Sequence, residues 1–521
     1  MLRKSHVLTS LAAVAVVAVP IAVASSANAG EPAQPPLKLV AATSTITYDR
    51  YKGDSSIWLD LGNHVIAGGT PFELSVTRKS YRDPIVARQV IRKNGKKTTK
   101  AVPAGLVKDF SGLDKFLHLS IADASGRTVA QSDRTFCPNG ESARTRPDAP
   151  DRSGYPQVCG RLPFTLATVW GLQAGWGINP AYSDFSGSAI ELPDGTYTVT
   201  SSINKPHRDA FGIPANQSRT TVKLVVRTVE EPDFPGGPGP QAARADHAHA
   251  HHAAAPRKGH GPVAPKGFAR TPAKSRPVGA ASIPQQGPRP DLRALPAWQI
   301  GVGSAPDGPG TRAVAGKEYL SFNANVWNAG PSPLVVDGFR RPGGDVMDAY
   351  QYFYDAAGKQ TGWAPSGTME WDSREGHTHW HFTDFAAYRL LDATKKVAVR
   401  SGKEAFCLAP TDPVNLNAPN ANWRPASTDL RTACGGATAV AVRQTLDVGW
   451  GDTYAQFLPG QSFDVTGLPN GTYYIEVTAN PEKRLFESRL TNNTSLRKVI
   501  LGGTPGARTV KVPPYQAIDA P

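Results

Sequence analysis

The chain has 521 residues, which is longer than a single hydrophobic core usually extends, so more than one domain is expected. Its formal net charge is +14 and its isoelectric point is about 9.5, which favours contact with anionic surfaces such as cell-wall polymers or acidic proteins. Lys and Arg are spread along the chain without a long block, so a dispersed, solvated charge is an equally good interpretation.

The first 29 residues have the composition of a secretory signal peptide. Arg3 and Lys4 precede an apolar run over residues 8–23, and the small residues at 27–29 form a cleavage site. The run is short for a spanning helix, and no later segment is apolar enough to span a membrane. The sequence therefore predicts a secreted protein, extracellular or associated with the cell wall, without a membrane span in the mature form. Nucleic acid is not an expected partner.

Residues 37–230 contain short segments in which apolar and polar residues alternate, for example Ser56–Leu61, Phe72–Val76 and Val222–Val226. Gly, Pro and Asp-Gly turns separate these segments. The pattern predicts an all-β accessory domain, namely an immunoglobulin-like β-sandwich. We interpret it as a binding or spacing module, because its residues form no catalytic motif.

The composition shifts over residues 231–289 to Pro, Gly, Ala, Lys and Arg, which predicts a disordered linker. A histidine-rich tract at 246–252 could bind Cu or Zn loosely, and a low-complexity origin is an equal alternative. From residue 290 to 505 alternating segments return, such as Tyr319–Trp327 and Gly471–Thr478. They predict a second, mainly antiparallel β domain, followed by a C-terminal tail at 506–521.

The four cysteines fall into two local pairs, Cys137 with Cys159 and Cys407 with Cys434. In an exported protein this pairing predicts two disulfide bonds. Each would stabilise the fold by roughly 3 kcal/mol through restriction of the unfolded chain.

Three histidines stand at alternate positions, at His377, His379 and His381. Side chains alternate between the two faces of a strand, so the three imidazoles are expected to leave the same face. Such a set suits Zn, Cu, Ni or Fe, and an all-nitrogen set leaves room for Cu(II). A polar strand face whose histidines meet solvent or carbonyl groups is the plain alternative.

Further motifs accompany the histidines in a fixed order. They are Glu370-Trp371, His377–Phe382, Asp384-Phe385, Tyr388–Asp392, Gly402–Leu408, Gly451–Tyr454, Asn480-Pro481 and Thr491–Asn493. Together they resemble the catalytic domain of the lysyl oxidase family over roughly residues 291–501. One His-x-His-x-His motif alone would be weak support, whereas the ordered series is specific.

The resemblance implies that His377, His379 and His381 are copper ligands and that Lys403 and Tyr454 form a lysine tyrosylquinone cofactor. A tyrosine near Cu(II) can be oxidised by O2 to a dopaquinone, to which a neutral lysine amine can add. The implied function is that of a copper-dependent amine oxidase, similar to protein-lysine 6-oxidase. It would convert peptidyl lysine or another primary amine to an aldehyde and release ammonia and hydrogen peroxide.

Amine oxidation also requires a general base. Asp384 and Asp452 lie in matching motifs, and Asp452 is expected to share a strand face with Tyr454. Either carboxylate could instead orient a copper histidine, so both assignments stay open. The segment 411–431, which precedes Tyr454, is interpreted as an inserted loop that reshapes substrate access.

The resemblance also covers positions that bind calcium in some relatives: Asp291, Leu292, Glu487, Asn492 and Asn493. Their oxygen atoms suit calcium. Arg489 stands where a carboxylate is expected, which makes a calcium site doubtful. We expect Arg489 to bridge Glu487 and Asp291 in its place.

Two other functions fit parts of the sequence. A non-catalytic copper-binding protein of the cell envelope would use the β-domain to bind a partner and the histidine-rich linker to store metal. A zinc hydrolase would use Glu375 as the base beside a zinc-bound water. The zinc hydrolase would leave the Lys403 and Tyr454 motifs unexplained.

Overall fold

The structure is a computed structural model that describes residues 36–93, 96–183, 190–230, 276–306, 312–373, 378–401, 405–425 and 434–518. It is nearly all β, with several antiparallel sheets, which confirms the predicted fold class. In the part of the chain that is described, no helix is long and apolar enough to cross a membrane. The predicted signal peptide and the histidine-rich tract lie outside the described residues.

Strands fill most of the N-terminal half, residues 36–230. They are β1 (Leu37–Ala41), β2 (Thr45–Tyr51), β3 (Asn63–Ala67), β4 (Phe72–Thr77), β5 (Val86–Lys93), β6 (Lys96–Ala101), β7 (Leu113–Ala122), β8 (Thr128–Phe136), β9 (Ser142–Arg144), β10 (Ala167–Leu172), β11 (Trp176–Ile178), β12 (Gly195–Ile203) and β13 (Arg219–Val229). The helices are short: α1 (Pro180–Ser183), α2 (Lys205–Phe211) and a 3-10 turn (Ala215–Gln217).

These strands form three sheets, in the orders β1-β3-β11-β9, β10-β4-β5-β6 and β2-β13-β12-β7-β8. The immunoglobulin-like detail is not confirmed, since such a sandwich has two antiparallel sheets, whereas β2 and β13 pair in parallel here. The alternation over Ser56–Leu61 forms no strand, and its only pairing there is an isolated bridge from Ile57 to Ile190. An alternating sequence therefore forms a strand only where a neighbouring strand is available to pair with it.

Strands also make up most of the C-terminal half, residues 276–518. They are β14 (Leu292–Ala294), β15 (Trp298–Gly303), β16 (Tyr319–Asn328), β17 (Leu334–Arg340), β18 (Val346–Tyr354), β19 (Gln360–Asp372), β20 (His379–Thr383), β21 (Ala386–Leu391), β22 (Val397–Arg400), β23 (Ala405–Phe406), β24 (Asp412–Pro413), β25 (Ala441–Leu446), β26 (Trp450–Tyr454), β27 (Ser462–Asp464), β28 (Gly471–Ala479), β29 (Thr494–Thr504) and β30 (Ala507–Lys511).

Three antiparallel sheets enclose the core of this half. Their orders are β14-β16-β26-β24, with β15 and β27 also on β16, then β23-β20-β19-β18-β17-β25, and β22-β21-β28-β29-β30. The first sheet carries Tyr454 and the second carries His379 and His381. Both sheets contribute to one apolar cluster that contains Tyr454, Trp380 and Phe382. The core therefore lies between the strands that carry the candidate site residues.

The two halves share an interface built on residues 412–425, within the predicted insert. The amide of Leu166 donates to the Val414 carbonyl at 2.7 Å, and the amide of Leu416 donates to the Ala167 carbonyl at 2.9 Å. Val414 is buried with Phe164 in a cluster drawn from both halves. The described part of the insert thus joins the halves, while the domain boundaries predicted from the sequence stay a prediction.

Candidate active site

Strands β19 and β20 position two of the three predicted histidines. In this antiparallel pair Asp372 lies opposite His379, and Glu370 lies opposite His381. Directly paired residues point to the same face of a sheet, so these four side chains share one face. His377 lies outside the described residues, and β20 begins at His379.

The rings of His379 and His381 have centroids 4.7 Å apart and planes 69° apart. With metal–nitrogen bonds of about 2.0 Å, two imidazoles on one ion have centroids about 4.4–5.1 Å apart. The observed spacing therefore fits a shared metal ion. Among the residues that the structure describes, no group of three His, Cys, Asp or Glu side chains forms a complete metal site.

Asp372 contacts one of these histidines. Its Oδ2 lies 3.2 Å from His381 Nδ1, and the two side chains are 10 % and 3 % exposed. The contact is diagonal across the strand pair, because Asp372 lies opposite His379, two residues away from His381. This residue was not singled out from the sequence, although its alternation with Glu370 was a usable signal.

The backbone of β20 between the two histidines is held from both sides. The amide of Trp380 donates to the Cys434 carbonyl at 2.9 Å, and its indole Nε1–H donates to Gly436 at 3.1 Å. The Trp380 carbonyl accepts a hydrogen bond from Gln444 Nε2 at 2.8 Å. Because its backbone and indole groups are all bonded, this part of the histidine strand has a fixed position.

Tyr454 is the last residue of β26 and is buried. Its hydroxyl donates to the Cys407 carbonyl at 3.0 Å, and its ring packs perpendicular to the Phe406 ring at a centroid distance of 4.7 Å. Burial raises the pKa of Tyr454 well above its usual value, and the nearby Asp452 carboxylate raises it further. The phenol is therefore protonated at neutral pH and acts as a hydrogen-bond donor.

Both predicted disulfide bonds are present, Cys137–Cys159 and Cys407–Cys434. The second lies within the candidate site, since Cys407 accepts the Tyr454 hydroxyl and Cys434 accepts the Trp380 amide. Lys403, four residues before Cys407, lies outside the described residues. The structure thus brings Tyr454 to the segment that follows Lys403 and places His379 beside His381.

The two candidate bases have different surroundings. Asp452 is buried and points to the same side of β26 as Tyr454, as expected from alternation. Asp384 is partly exposed, has a left-handed backbone with φ of 58°, and pairs with Arg484 at 2.9 Å. Asp384 also lines a polar pocket with Ser401, which precedes the segment containing Lys403.

The insert is fixed to the strand that carries Tyr454. Strand β24 pairs with β26, and the Thr411 hydroxyl accepts the amide of Thr453 at 2.8 Å. Further along the insert, Trp423 stacks on Tyr155 of the N-terminal half, with centroids 6.3 Å apart. The insert therefore contacts both the N-terminal half and the residue next to Tyr454.

The expected role of Arg489 is wrong. Arg489 is exposed, and Asp291 pairs with Arg293 instead, at 2.7 Å. Arg293 is two residues from Asp291, which directly precedes β14, so its guanidinium reaches the carboxylate locally. Burial raises the pKa of Glu487, which accepts hydrogen bonds from Asn493 and other neighbours.

An all-β fold with paired imidazoles on one strand and a buried tyrosine beside a disulfide defines a candidate redox site. Residues 354–506 match the family model described as lysyl oxidase, which confirms the resemblance that the motif series indicated. All five predicted site residues fall within this range.

Related proteins match the same region of the chain. Human lysyl oxidase homolog 1 is 35% identical over 133 residues, which are 25% of this chain and 20% of that protein. Protein-lysine 6-oxidase from rat is 34% identical over 135 residues, 25% of this chain and 28% of that protein. The pig protein-lysine 6-oxidase is 33% identical over 135 residues, 25% of this chain and 45% of that protein. The chain thus spans between a fifth and just under half the length of these relatives.

Proposed function

We propose that this protein is a secreted copper-dependent amine oxidase that acts on peptidyl lysine or another primary amine. The products would be an aldehyde, ammonia and hydrogen peroxide, with O2 as the electron acceptor. One observation carries the proposal: within the lysyl oxidase domain, the Tyr454 hydroxyl is bonded to Cys407, four residues after Lys403. This contact anchors the tyrosine beside the segment that supplies its proposed partner.

His377, His379 and His381 would hold the copper ion. The 4.7 Å separation of the described rings, and the affinity of neutral imidazole for Cu(II), support this assignment. Copper and the quinone formed from Lys403 and Tyr454 would together supply the two-electron oxidation of the amine. Calcium is not part of the proposal.

The chain's own residues would prepare the site. Burial keeps the Tyr454 phenol protonated and its ring held against Phe406, in a core that excludes water. Asp452 raises the pKa of Tyr454 through its charge, and Asp384 pairs with Arg484. Both carboxylates stay candidates for the group that accepts the proton from the carbon next to the substrate nitrogen.

The test uses the full chain, loaded with copper in air. The expected result is a peptide that contains Lys403 cross-linked to Tyr454, a positive redox-cycling stain, and amine-dependent peroxide release with lysyl peptides or small amines. Lys403→Ala and Tyr454→Phe should abolish all three. Tyr473→Phe is the matched control, because this buried tyrosine also donates its hydroxyl to a carbonyl, that of Pro469 at 2.8 Å.

A copper-replete protein with unmodified Lys403 and Tyr454 would sink the proposal. That outcome, with no peroxide release, would favour the non-catalytic copper-binding protein of the cell envelope. A protein that hydrolyses its substrate with zinc, and has no cross-link, would favour the zinc hydrolase.

A further inference from the structure

We propose that Asp372 is a positioning residue for the copper site, which fixes His381 so that its Nε2 faces the metal. The inference rests on the proposed copper site and adds a residue to it. The carrying observation is the 3.2 Å contact between Asp372 Oδ2 and His381 Nδ1.

The register of β19 and β20 places the Asp372 carboxylate next to the His381 imidazole. Asp372 ends β19 and lies on the histidine face, diagonal to His381. Both side chains are almost fully buried, so water competes weakly for the contact. A buried carboxylate needs hydrogen-bond donors, and the imidazole Nδ1–H is a suitable one.

A neutral imidazole carries one N–H and one nitrogen lone pair. A carboxylate that accepts from Nδ1–H selects the tautomer whose lone pair is on Nε2, and it makes the ring a stronger donor to a metal. The arrangement carboxylate, histidine and metal is a common way to orient a ligand. Asp372 therefore prepares His381 to bind before any metal arrives.

Glu370 provides a matched comparison on the same face of the same strand. It lies directly opposite His381, yet its side chain is exposed to solvent. Glu370→Gln removes one negative charge from this face and leaves the Asp372 contact intact. Any effect that is specific to Asp372→Asn is then due to the contact rather than to the local charge.

The experiment measures Cu(II) affinity by chelator competition and the electron spin-echo modulation from the remote imidazole nitrogen, which reports the hydrogen bond at that nitrogen. Asp372→Asn should weaken Cu(II) binding about 10- to 100-fold and change the remote-nitrogen signal. Asp372→Glu should restore part of both. Glu370→Gln should leave both at the wild-type values.

Circular dichroism checks that each variant is folded. If Asp372→Asn does not fold, the affinity and the remote-nitrogen signal of Asp372→Glu are compared with the wild type instead. Wild-type affinity and an unchanged remote-nitrogen signal in a folded Asp372→Asn protein would overturn the inference and leave the proposed function intact. The His381→Ala variant separates a failure of the Asp372 inference from a failure of the proposed copper site. If this variant binds Cu(II) like the wild type, the metal assignment itself is wrong. Loss of Cu(II) binding in His381→Ala, together with weakened binding in Asp372→Asn, supports both.

Discussion

The Tyr454 hydroxyl donates a hydrogen bond to the Cys407 carbonyl at 3.0 Å, and Cys407 is bonded to Cys434, which accepts the Trp380 amide. A single disulfide therefore connects the strand of the proposed cofactor tyrosine to the strand of the histidines. Neither contact uses the cysteine side chain, so the bridge acts by fixing two backbone carbonyls. We therefore expect the disulfide to support the site as well as the stability of the fold.

Replacing both cysteines of this bridge is expected to affect stability and cofactor formation. A Cys407→Ser/Cys434→Ser variant opens a loop of 27 residues and should lose about 3.5 kcal/mol of unfolding free energy. Its quinone content after copper loading should also fall, because both carbonyls move. Urea unfolding and quinone absorbance per protein measure the two effects.

The other disulfide is the control, since Cys137 and Cys159 are 22 residues apart and far from the site in sequence. Cys137→Ser/Cys159→Ser should lose similar stability and keep its quinone. Equal quinone loss in both variants, measured where both are folded, would show that the Cys407–Cys434 bridge has no special role.

Alternation along the chain was enough to predict β16 and β28, the shared face of Asp452 and Tyr454, and the position of the histidine strand. The diagonal contact from Asp372 to His381 was not predictable, because it depends on the register between strands β19 and β20. The ion pair of Arg293 with Asp291 has a different cause, since these two residues are only two positions apart, and the expectation for Arg489 overlooked this local partner. Periodicity indicates which face a residue occupies, but not which neighbour it meets across the sheet.

Phe164 is expected to stabilise both halves through their interface. Its ring is fully buried and meets Trp298 and Tyr515 of the C-terminal half edge-on, at 6.1 and 6.0 Å. Phe164→Ala should cost about 3–5 kcal/mol because it leaves a cavity. Urea unfolding followed by tryptophan fluorescence measures the loss. Phe457→Ala, at a ring that is 60% exposed, should change little, and equal midpoints for the two variants would contradict the prediction.

The hairpin of β5 and β6 is expected to provide the anionic contact predicted from the net charge. Lys93 of β5 lies opposite Lys96 of β6, an edge strand whose six residues, Lys97 among them, are all exposed. Like charges placed directly opposite destabilise a sheet, so a polyanion that neutralises them is attracted. Lys93→Gln/Lys96→Gln/Lys97→Gln should weaken binding to polyphosphate roughly tenfold at low salt.

A control with the same net charge separates a local site from the overall charge. Three exposed lysines of the C-terminal half serve for this purpose: Lys396, Lys498 and Lys511. Their joint replacement by Gln should leave polyphosphate binding close to the wild type. Equal weakening by both triple variants would mean that only the total charge matters, and that the hairpin lysines merely protect a sheet edge.

Added calcium is expected to leave the melting temperature unchanged. Both oxygens of Asp291 accept hydrogen bonds, Oδ2 from Arg293 at 2.7 Å and Oδ1 from Asn492 at 2.9 Å. Glu487 is likewise bonded at both oxygens, by Asn493 among others at Oε1 and by the Leu292 amide at Oε2. Calorimetry with millimolar Ca²⁺ or with EDTA should therefore agree within about 1 °C.

Removing the competing cation should create calcium dependence. Arg293→Ala frees Asp291 Oδ2 and is expected to gain a melting temperature that rises with Ca²⁺, because oxygen ligands become available. Arg489→Ala is the control and should stay insensitive, since Arg489 is exposed. Calcium stabilisation of the wild type, or of the Arg489 variant alone, would contradict this account.

Acid is expected to destabilise the fold through His207, which packs against Phe116 and Phe211. Burial lowers the pKa of His207 to about 4, compared with about 6.5 in the unfolded chain. The unfolded state binds the proton more tightly between these values, so stability falls as the pH drops from 6.5 to 4, by up to about 3 kcal/mol. Urea titrations across that range should show that the free energy of unfolding of His207→Gln falls less steeply with decreasing pH.

The His118→Gln variant is the control for this prediction. It keeps the buried histidine, so its free energy of unfolding should fall like that of the wild type. Parallel curves for all three proteins would exclude His207 as the cause.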